Sequence, residues 1–532
     1  MLAGNTQIAT WTSPRSNGRM GFAQILSRAE TGLAAPLVRV EVHLGSGLPT
    51  FNIVGLAATV VRESRERVRA ALAHCGFAFP AGRITVNLAP ADLPKEGGRF
   101  DLPIAVGILV ASGQAQPDCD LAVTEFYGEL GLTGELKPVA GLLLAALHAA
   151  RDAHSLVVPR ADLSQLRIVE GCSMRGLRHL SELNQPDCSS VGPSGQDHEP
   201  EGTAQVAASA RLDLADVRGQ WQARRALIIA AAGGHALLMC GPPGSGKSML
   251  AQRLPGLLPA LSREESLEVA AIAAVARTQL PQGQAAARPF RAPHHTASAH
   301  AIVGGGVAVR PGEVSLAHHG VLFLDELPEF DRRVLEALRE PLESGSVSVV
   351  RANQRAQYPA SFQLVAAMNP CPCGRAGQVR PRCECPPQKV KHYRARISGP
   401  LLDRIDLQLS LPAVDAEALA DAAAPAGNTV PAATGLITTA QARVLVGAAR
   451  ERQQLRQGSC NARLGPAETL QHCRAEPAGM QLLRMAVEKQ GHSARAQHRI
   501  LRVARSIADL AARDEVSAAD VAEALSMRWH EG

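Results

Sequence analysis

Aromatic side chains are scarce in this chain: three Trp, three Tyr and ten Phe among 532 residues. A nucleic-acid surface built on stacked aromatic rings is therefore not visible in the sequence. A strong charge of one sign is also lacking. Lys and Arg outnumber Asp and Glu by 55 to 49, a net +6, which permits contact with phosphate backbones without arguing for it. No apolar run approaches the roughly 20 residues that a membrane-spanning helix needs, so no membrane span is expected. The opening MLAGNTQIATWTSPRSNGRM has no apolar stretch of the kind that marks a secretory signal. Of eleven Cys, seven are scattered singly: Cys75, Cys119, Cys172, Cys188, Cys240, Cys460 and Cys473. That is no disulfide framework, and it fits a reduced, cytoplasmic protein. Hydrophobic residues make up 46% of the chain, enough for sizeable cores in about three domains.

The most informative run present is Gly241-Pro242-Pro243-Gly244-Ser245-Gly246-Lys247-Ser248. It fits the phosphate-loop pattern, in which glycines let backbone N–H groups converge on phosphate oxygens. Lys247 would reach the terminal phosphates of a nucleotide, and the Ser248 hydroxyl would hold Mg²⁺. Ala236-Leu237-Leu238-Met239-Cys240 just before it reads as a buried strand. Leu250 and Leu254 after it have helical spacing, so the loop opens a helix whose N-terminus faces the anion. Downstream, Val321-Leu322-Phe323-Leu324 is an apolar strand ending in Asp325 and Glu326. Asp325 would take Mg²⁺ and Glu326 would polarise the attacking water. A third apolar run, 362–368, ends at Asn369, placed to orient that water. Three strands ending in polar residues at one edge predict a parallel sheet with its ligand at the carboxyl ends.

Along the chain, 1–19 reads as a disordered extension and Met20 as the true start. Residues 20–183 form an α+β module, with strands at 38–42 and 83–88 and helices at 61–75 and 142–153. Residues 184–207 have linker composition. The nucleotide domain occupies 208–412, an Ala- and Pro-rich linker 413–439, and a helical domain 440–532. In the last, Ile500, Val503, Ala504 and Ile507 make an apolar face, with Arg499, Arg502 and Arg505 opposite.

Cys371, Cys373, Cys383 and Cys385 fall within fifteen residues of a Pro-, Gly- and Arg-rich stretch. A tetrahedral Zn²⁺ site, four reduced thiols and a reversible disulfide are the three readings, in that order. The spacing is C-x-C, which chelates less comfortably than C-x-x-C. The pairs His294-His295 and His318-His319 invite a metal reading, but adjacent histidines do not easily face one site. A structural or pore-loop role is expected instead.

Three further stretches resemble signatures of Mg-chelatase-like AAA+ ATPases: Arg288-Pro289-Phe290-Arg291-Ala292-Pro293-His294-His295-Thr296-Ala297-Ser298, Pro311-Gly312-Glu313-Val314-Ser315-Leu316-Ala317-His318-His319-Gly320, and Ser398-Gly399-Pro400-Leu401-Leu402-Asp403-Arg404-Ile405-Asp406. The likeness is to the ComM/YifB branch of that group. It implies a multidomain α/β fold, with a P-loop AAA+ core and a C-terminal helical lid. It also implies a ring, a hexamer by family, that uses ATP and Mg²⁺. The activity implied is DNA helicase and branch migration on recombination intermediates during natural transformation, with recombination proteins as partners. By the same resemblance Asn369 is the first sensor, Arg404 the arginine inserted into a neighbour's site, and Arg495 the lid's second-sensor arginine. An insertion carrying His294 and His295 would approach the central channel, where Arg288 and Arg291 would meet DNA. An ATP-gated scaffold, or a Mg-chelatase-type remodelling ATPase without DNA translocation, are the alternatives.

The first domain resembles a Lon-protease-like (ribosomal S5 domain 2-like) module through Leu93-Pro94-Lys95-Glu96-Gly97-Gly98-Arg99-Phe100-Asp101, Gly128-Glu129-Leu130 and Pro138-Val139-Ala140-Gly141-Leu142-Leu143. The positions of the family's Ser nucleophile and Lys base hold Arg99 and Leu143. No acyl transfer by that route is expected, so the enzyme is not read as a protease.

Overall fold

The computed structural model describes residues 21–55, 59–93, 95, 97–185, 212–217, 219–278, 287–306, 309–351, 354–376, 382–413, 437–490 and 494–528. The expected extension 1–19, the Met20 start, nearly all of the 184–207 linker and most of the 413–439 linker lie outside these residues. The chain divides into two compact units, 1–197 and 198–532.

The first unit is built on a seven-stranded mixed sheet. Its order is Thr50–Val54, Arg83–Ala89, Leu37–Gly45, Gly21–Arg28, Thr124–Phe126, Ser155–Pro159, Met174–Leu177. Alternation decides which face is buried: Val38, Val40 and Val42 point inward while Arg39 and His43 point out. Ile84, Val86 and Leu88 repeat the pattern on the antiparallel neighbour. The helix Asp101–Ala111 is apolar nearly all round and buried through residue 109, as a core helix must be. It approaches the sheet so closely that a Cβ on Gly107 would stand 2.5 Å from the Val42 side chain.

The second unit holds a five-stranded sheet in which every pairing is parallel. The order is Phe290–Arg291, Val321–Leu324, Gln363–Met368, Leu237–Cys240, Leu407–Ser410. The three central strands are buried along their whole length, which is why they read as unbroken apolar runs rather than alternating ones. The helix Trp221–Gly233 and four of the five α-helices described after residue 437, namely Thr439–Gln457, Pro477–Gln490, Ala494–Leu510 and Ala518–Ser526, share one core with the sheet. Ile500, Val503, Ala504 and Ile507 all lie in it.

The opposite side of that helix is not a solvated arginine face. Arg505 is fully buried. It donates to Asp509 at 3.0 Å and to the carbonyls of Arg513 and Asp514. Asp509 also receives Arg456 at 2.8 and 2.9 Å and Asn461 at 2.8 Å. Arg502 donates to the Ala462 carbonyl at 2.8 Å. The arginines stitch the helical region together with charge-assisted hydrogen bonds. Among the described residues, no helix is long and apolar enough to cross a membrane.

Asp406 ties this region to the sheet. Its carboxylate takes His235 at 3.2 Å and Arg499 at 3.1 Å. Burial alone would raise its pKa, but the His235 hydrogen bond and the charges of His235, Arg499 and Arg502 prevail and hold it at about 2. A carboxyl whose folded pKa lies below its unfolded value stabilises the fold above pH ~4, and that contribution is lost as pH falls toward 2. Asp406→Asn is therefore expected to cost about 2 kcal/mol at neutral pH. The deficit should shrink as pH falls from ~4 to ~2, as read by denaturant unfolding of both proteins across that window.

Candidate active site

The parallel register aligns the strand ends. Cys240 pairs with Met368, and Leu324 lies across from Ala366. The residues just beyond these ends therefore emerge at one edge. The phosphate loop leaves Cys240 and turns through Gly244 (φ 77°) and Gly246 (φ 85°), both in the left-handed region that favours glycine. Neither glycine has an atom within 4 Å of where a Cβ would stand, so conformation and not crowding requires them. The loop ends in the helix Lys247–Leu257.

Lys247 is buried, and its Nζ donates to the carbonyls of Gly241 (2.7 Å) and Pro242 (2.9 Å) and to Asn369 Oδ1 (3.3 Å). Burial lowers its pKa, opposed by the charge of Asp325. The ammonium therefore has reason to exchange its carbonyl partners for an anion. Ser248 Oγ donates to Asp325 Oδ2 at 2.8 Å, which puts the two expected Mg²⁺ holders in contact. Lys247, Ser248, Asp325 and Asn369 come from three different strand ends, and all are within one hydrogen bond of a neighbour in the set.

Glu326 sits at φ 52°, a conformation that costs a non-glycine residue of order 1 kcal/mol and clusters at functional sites. Local bonds hold it there. Its N–H donates to Asp325 Oδ1 at 2.9 Å, and its carbonyl accepts from Glu329 at 2.7 Å. The strained turn leaves the Glu326 side chain half exposed at the sheet edge.

His295 joins this site, which its sequence context does not suggest. Its Nδ1 stands 3.3 Å from Glu326 Oε2. His294 and His295, expected in an insertion that approaches the central channel, lie just past a strand of the sheet. They follow Phe290–Arg291, a two-residue strand that pairs parallel with the Asp325 strand, and so emerge at the same edge. His295 also lines a cavity of about 890 Å³ whose wall carries Arg332, Arg333 and Arg396 together with Glu329 and Asp331.

Other expected residues are placed differently. Arg288 is held inside by the carbonyls of Pro259 and His319 at 2.6 Å each and by Glu265 at 3.3 Å. Arg291 makes a two-pronged pair with Glu313 at 2.6 and 2.8 Å. Neither guanidinium is offered to a ligand in this arrangement. His318 is buried, and burial together with His319 pushes its pKa down to about 4. Its Nδ1 accepts from the Ser361 N–H (2.9 Å), so its proton lies on Nε2, toward Glu268 at 3.0 Å. The ring's lone pair is already committed, which argues for a structural role and against a metal at Glu268, His318 and His319. Arg404 is largely covered, paired with Glu343 and donating to the Pro400 carbonyl at 2.7 Å. It pairs with neither Asp403 nor Asp406. Arg495 lies exposed in the first turn of Ala494–Leu510. The sulfurs of Cys371, Cys373, Cys383 and Cys385 gather just past Asn369.

Residues 213–419 match the family model for magnesium chelatase, subunit ChlI. Residues 40–162 match that for subunit ChlI of Mg-chelatase, and residues 437–528 that for its C-terminal region. The chain is 45% identical to the competence protein ComM of Haemophilus influenzae, covering 96% of this chain and 98% of that one. It is 44% identical to the protein YifB of Escherichia coli, over 96% and 97%. The magnesium-chelatase 38 kDa subunit of Cereibacter sphaeroides is 28% identical over 31% of this chain and 53% of its own length.

Two substitutions separate binding from chemistry. Lys247→Ala is expected to weaken ATP binding and abolish hydrolysis. Glu326→Gln should retain binding and lower kcat by about 10²–10⁴-fold, the range of a lost general base. Fluorescent-nucleotide titration alongside phosphate release distinguishes the two.

Proposed function

The chain belongs to the ComM/YifB family of Mg-chelatase-like AAA+ ATPases, and from that membership and the site above we propose that it is an ATP-driven ring motor acting on DNA. The carrying observation is the meeting of Lys247, Ser248, Asp325 and Asn369 at one sheet edge, with Glu326 on the adjoining strained turn. The loop amides and Lys247 bind the triphosphate. Ser248 and Asp325 hold Mg²⁺, which when bound neutralises charge on the phosphate oxygens. Glu326 takes the proton of the attacking water, and Asn369 helps to position that water. His295, touching Glu326, restrains the carboxylate's orientation.

Arg404 acts in the site of a neighbouring subunit. To do so it must exchange Glu343 for the γ-phosphate, an exchange that couples hydrolysis to the subunit boundary. Arg495, exposed at the start of its helix, is free to approach nucleotide as the lid moves. Six subunits close the ring, in the cytoplasm, and branched recombination intermediates are its substrate, handed over by recombination proteins.

The first unit is Lon-like in fold and carries no protease site. Supporting this, Arg99 is buried, paired with Glu30 at 2.7 Å and bonded to the Ala140 carbonyl at 2.7 Å. A fixed cation stands where the nucleophile would be. An ATP-gated scaffold is the second reading. It is favoured by the internal pairing of Arg288 and Arg291, which removes two of the cations expected to grip DNA.

Steady-state ATP hydrolysis with and without single-stranded and four-way-junction DNA tests the motor, with Lys247→Ala as blank. The expected result is stimulation of severalfold or more, greatest on the junction and diminishing with salt as phosphate contacts are screened. Hydrolysis indifferent to every DNA would favour the scaffold.

A further inference from the structure

We propose that Cys371, Cys373, Cys383 and Cys385 bind one zinc ion, and that this site braces the Asn369 loop against the phosphate loop. The sulfur of Cys371 lies 3.4 Å from that of Cys373 and 3.6 Å from that of Cys383, and Cys373 and Cys383 are also 3.6 Å apart. The Cys385 sulfur is within 4.8 Å of each. A tetrahedron with Zn–S bonds of about 2.3 Å has edges of about 3.8 Å. Three of the sulfurs therefore already stand close to the spacing of a tetrathiolate site.

A disulfide would single out one pair at about 2.0 Å. Three nearly equidistant sulfurs single out none, and all four cysteines are free. Backbone amides also turn toward the sulfurs. The N–H of Ala376 points at Cys371 Sγ at 3.3 Å and that of Cys385 at Cys383 Sγ at 3.4 Å. Such outer-shell donors stabilise metal-bound thiolates. Four soft sulfur ligands in tetrahedral array select zinc over harder cations.

The C-x-C spacing is reconciled by a turn. Gly374 N–H returns to the Cys371 carbonyl at 2.9 Å, and Gly374 sits at φ 76°. This bend brings the sulfurs of Cys371 and Cys373 to 3.4 Å, where an extended chain would hold the two side chains on one face but about 7 Å apart.

The turn also explains what the metal would do. A Cβ on Gly374 would stand 2.6 Å from Pro243 of the phosphate loop, so the two loops are in direct contact. Asn369, two residues before Cys371, holds Lys247. On the other side, Cys385 leads into the helix Pro387–Arg394, whose Arg394 donates back to the Pro370 carbonyl at 3.3 and 3.4 Å. Zinc closes this excursion and fixes Asn369 relative to Lys247. Zinc binding stands apart from the nucleotide chemistry, whereas its effect on hydrolysis rests on the ATPase reading above.

The test begins with metal analysis of the purified full-length protein after exhaustive desalting. One zinc per chain is expected, released when a mercurial blocks the thiols. Cys373→Ser/Cys383→Ser should lose the zinc and lower kcat at least tenfold while changing nucleotide affinity less. Should that variant not fold, wild-type protein produced with cobalt in place of zinc should show the d–d absorption of a tetrahedral cobalt thiolate. Metal-free protein with four freely reacting thiols in this loop, or iron in place of zinc, would overturn the site. A zinc-free variant with unchanged kcat would overturn the brace. Zinc content is read without ATP, so zinc bound to a wild-type protein that does not hydrolyse ATP supports the metal site and counts against the ATPase reading instead.

Discussion

The contact between Ser248 and Asp325 is the constraint on which the site depends. It joins the first turn of the phosphate-loop helix to the end of a strand two places away in the sheet. It forms only if the parallel register brings Cys240, Met368 and Leu324 to the same edge. A slip of one residue would turn the strand residues to the opposite face and carry Asp325 and Asn369 out of reach of the loop. Burial of all three strands on both faces is what fixes that register. Hydrophobic packing thus sets the position of four polar groups just beyond the strand ends.

A second polar tie works at the other end of the sheet. Asp406, His235 and Arg499 connect the start of the strands Leu237–Cys240 and Leu407–Ser410 to the helix Ala494–Leu510. The same region is held internally by Asp509 with Arg456 and Arg505. Buried ion pairs of this kind are costly to break and specify geometry more than they add stability.

Much of the site is legible in the amino-acid sequence. The phosphate loop, the strand ending in Asp325 and Glu326, and Asn369 are contiguous motifs, and buried parallel strands advertise themselves as apolar runs. The resemblance in the first domain supplies the positions of Arg99 and Leu143. Residues whose placement depends on distant partners are not legible. Phe290–Arg291 is too short to show any period, so nothing in the sequence assigns His295 to the edge where it meets Glu326. Arg288 and Arg291 read as free cations because Glu265 and Glu313 lie 22 to 23 residues away. For Arg505 the sequence shows only a place opposite the apolar face, because periodicity reports that face and says nothing of carboxylates and carbonyls waiting on the other. The C-x-C pairs look poorly spaced as a linear pattern, and the turn at Gly374 that draws Cys371 and Cys373 together is not visible in it.

Half of the proposed chemistry lies within one chain and half between chains: Lys247 and Glu326 serve the chain's own nucleotide, and Arg404 serves its neighbour's. The most direct test mixes two inactive proteins, Lys247→Ala and Arg404→Ala, and follows phosphate release against their ratio. In mixed rings some boundaries pair an intact Lys247 with an intact Arg404. The account predicts that activity reappears on mixing and peaks at intermediate ratios. No recovery at any ratio, with mixed assemblies confirmed by mass, would contradict a site shared between subunits.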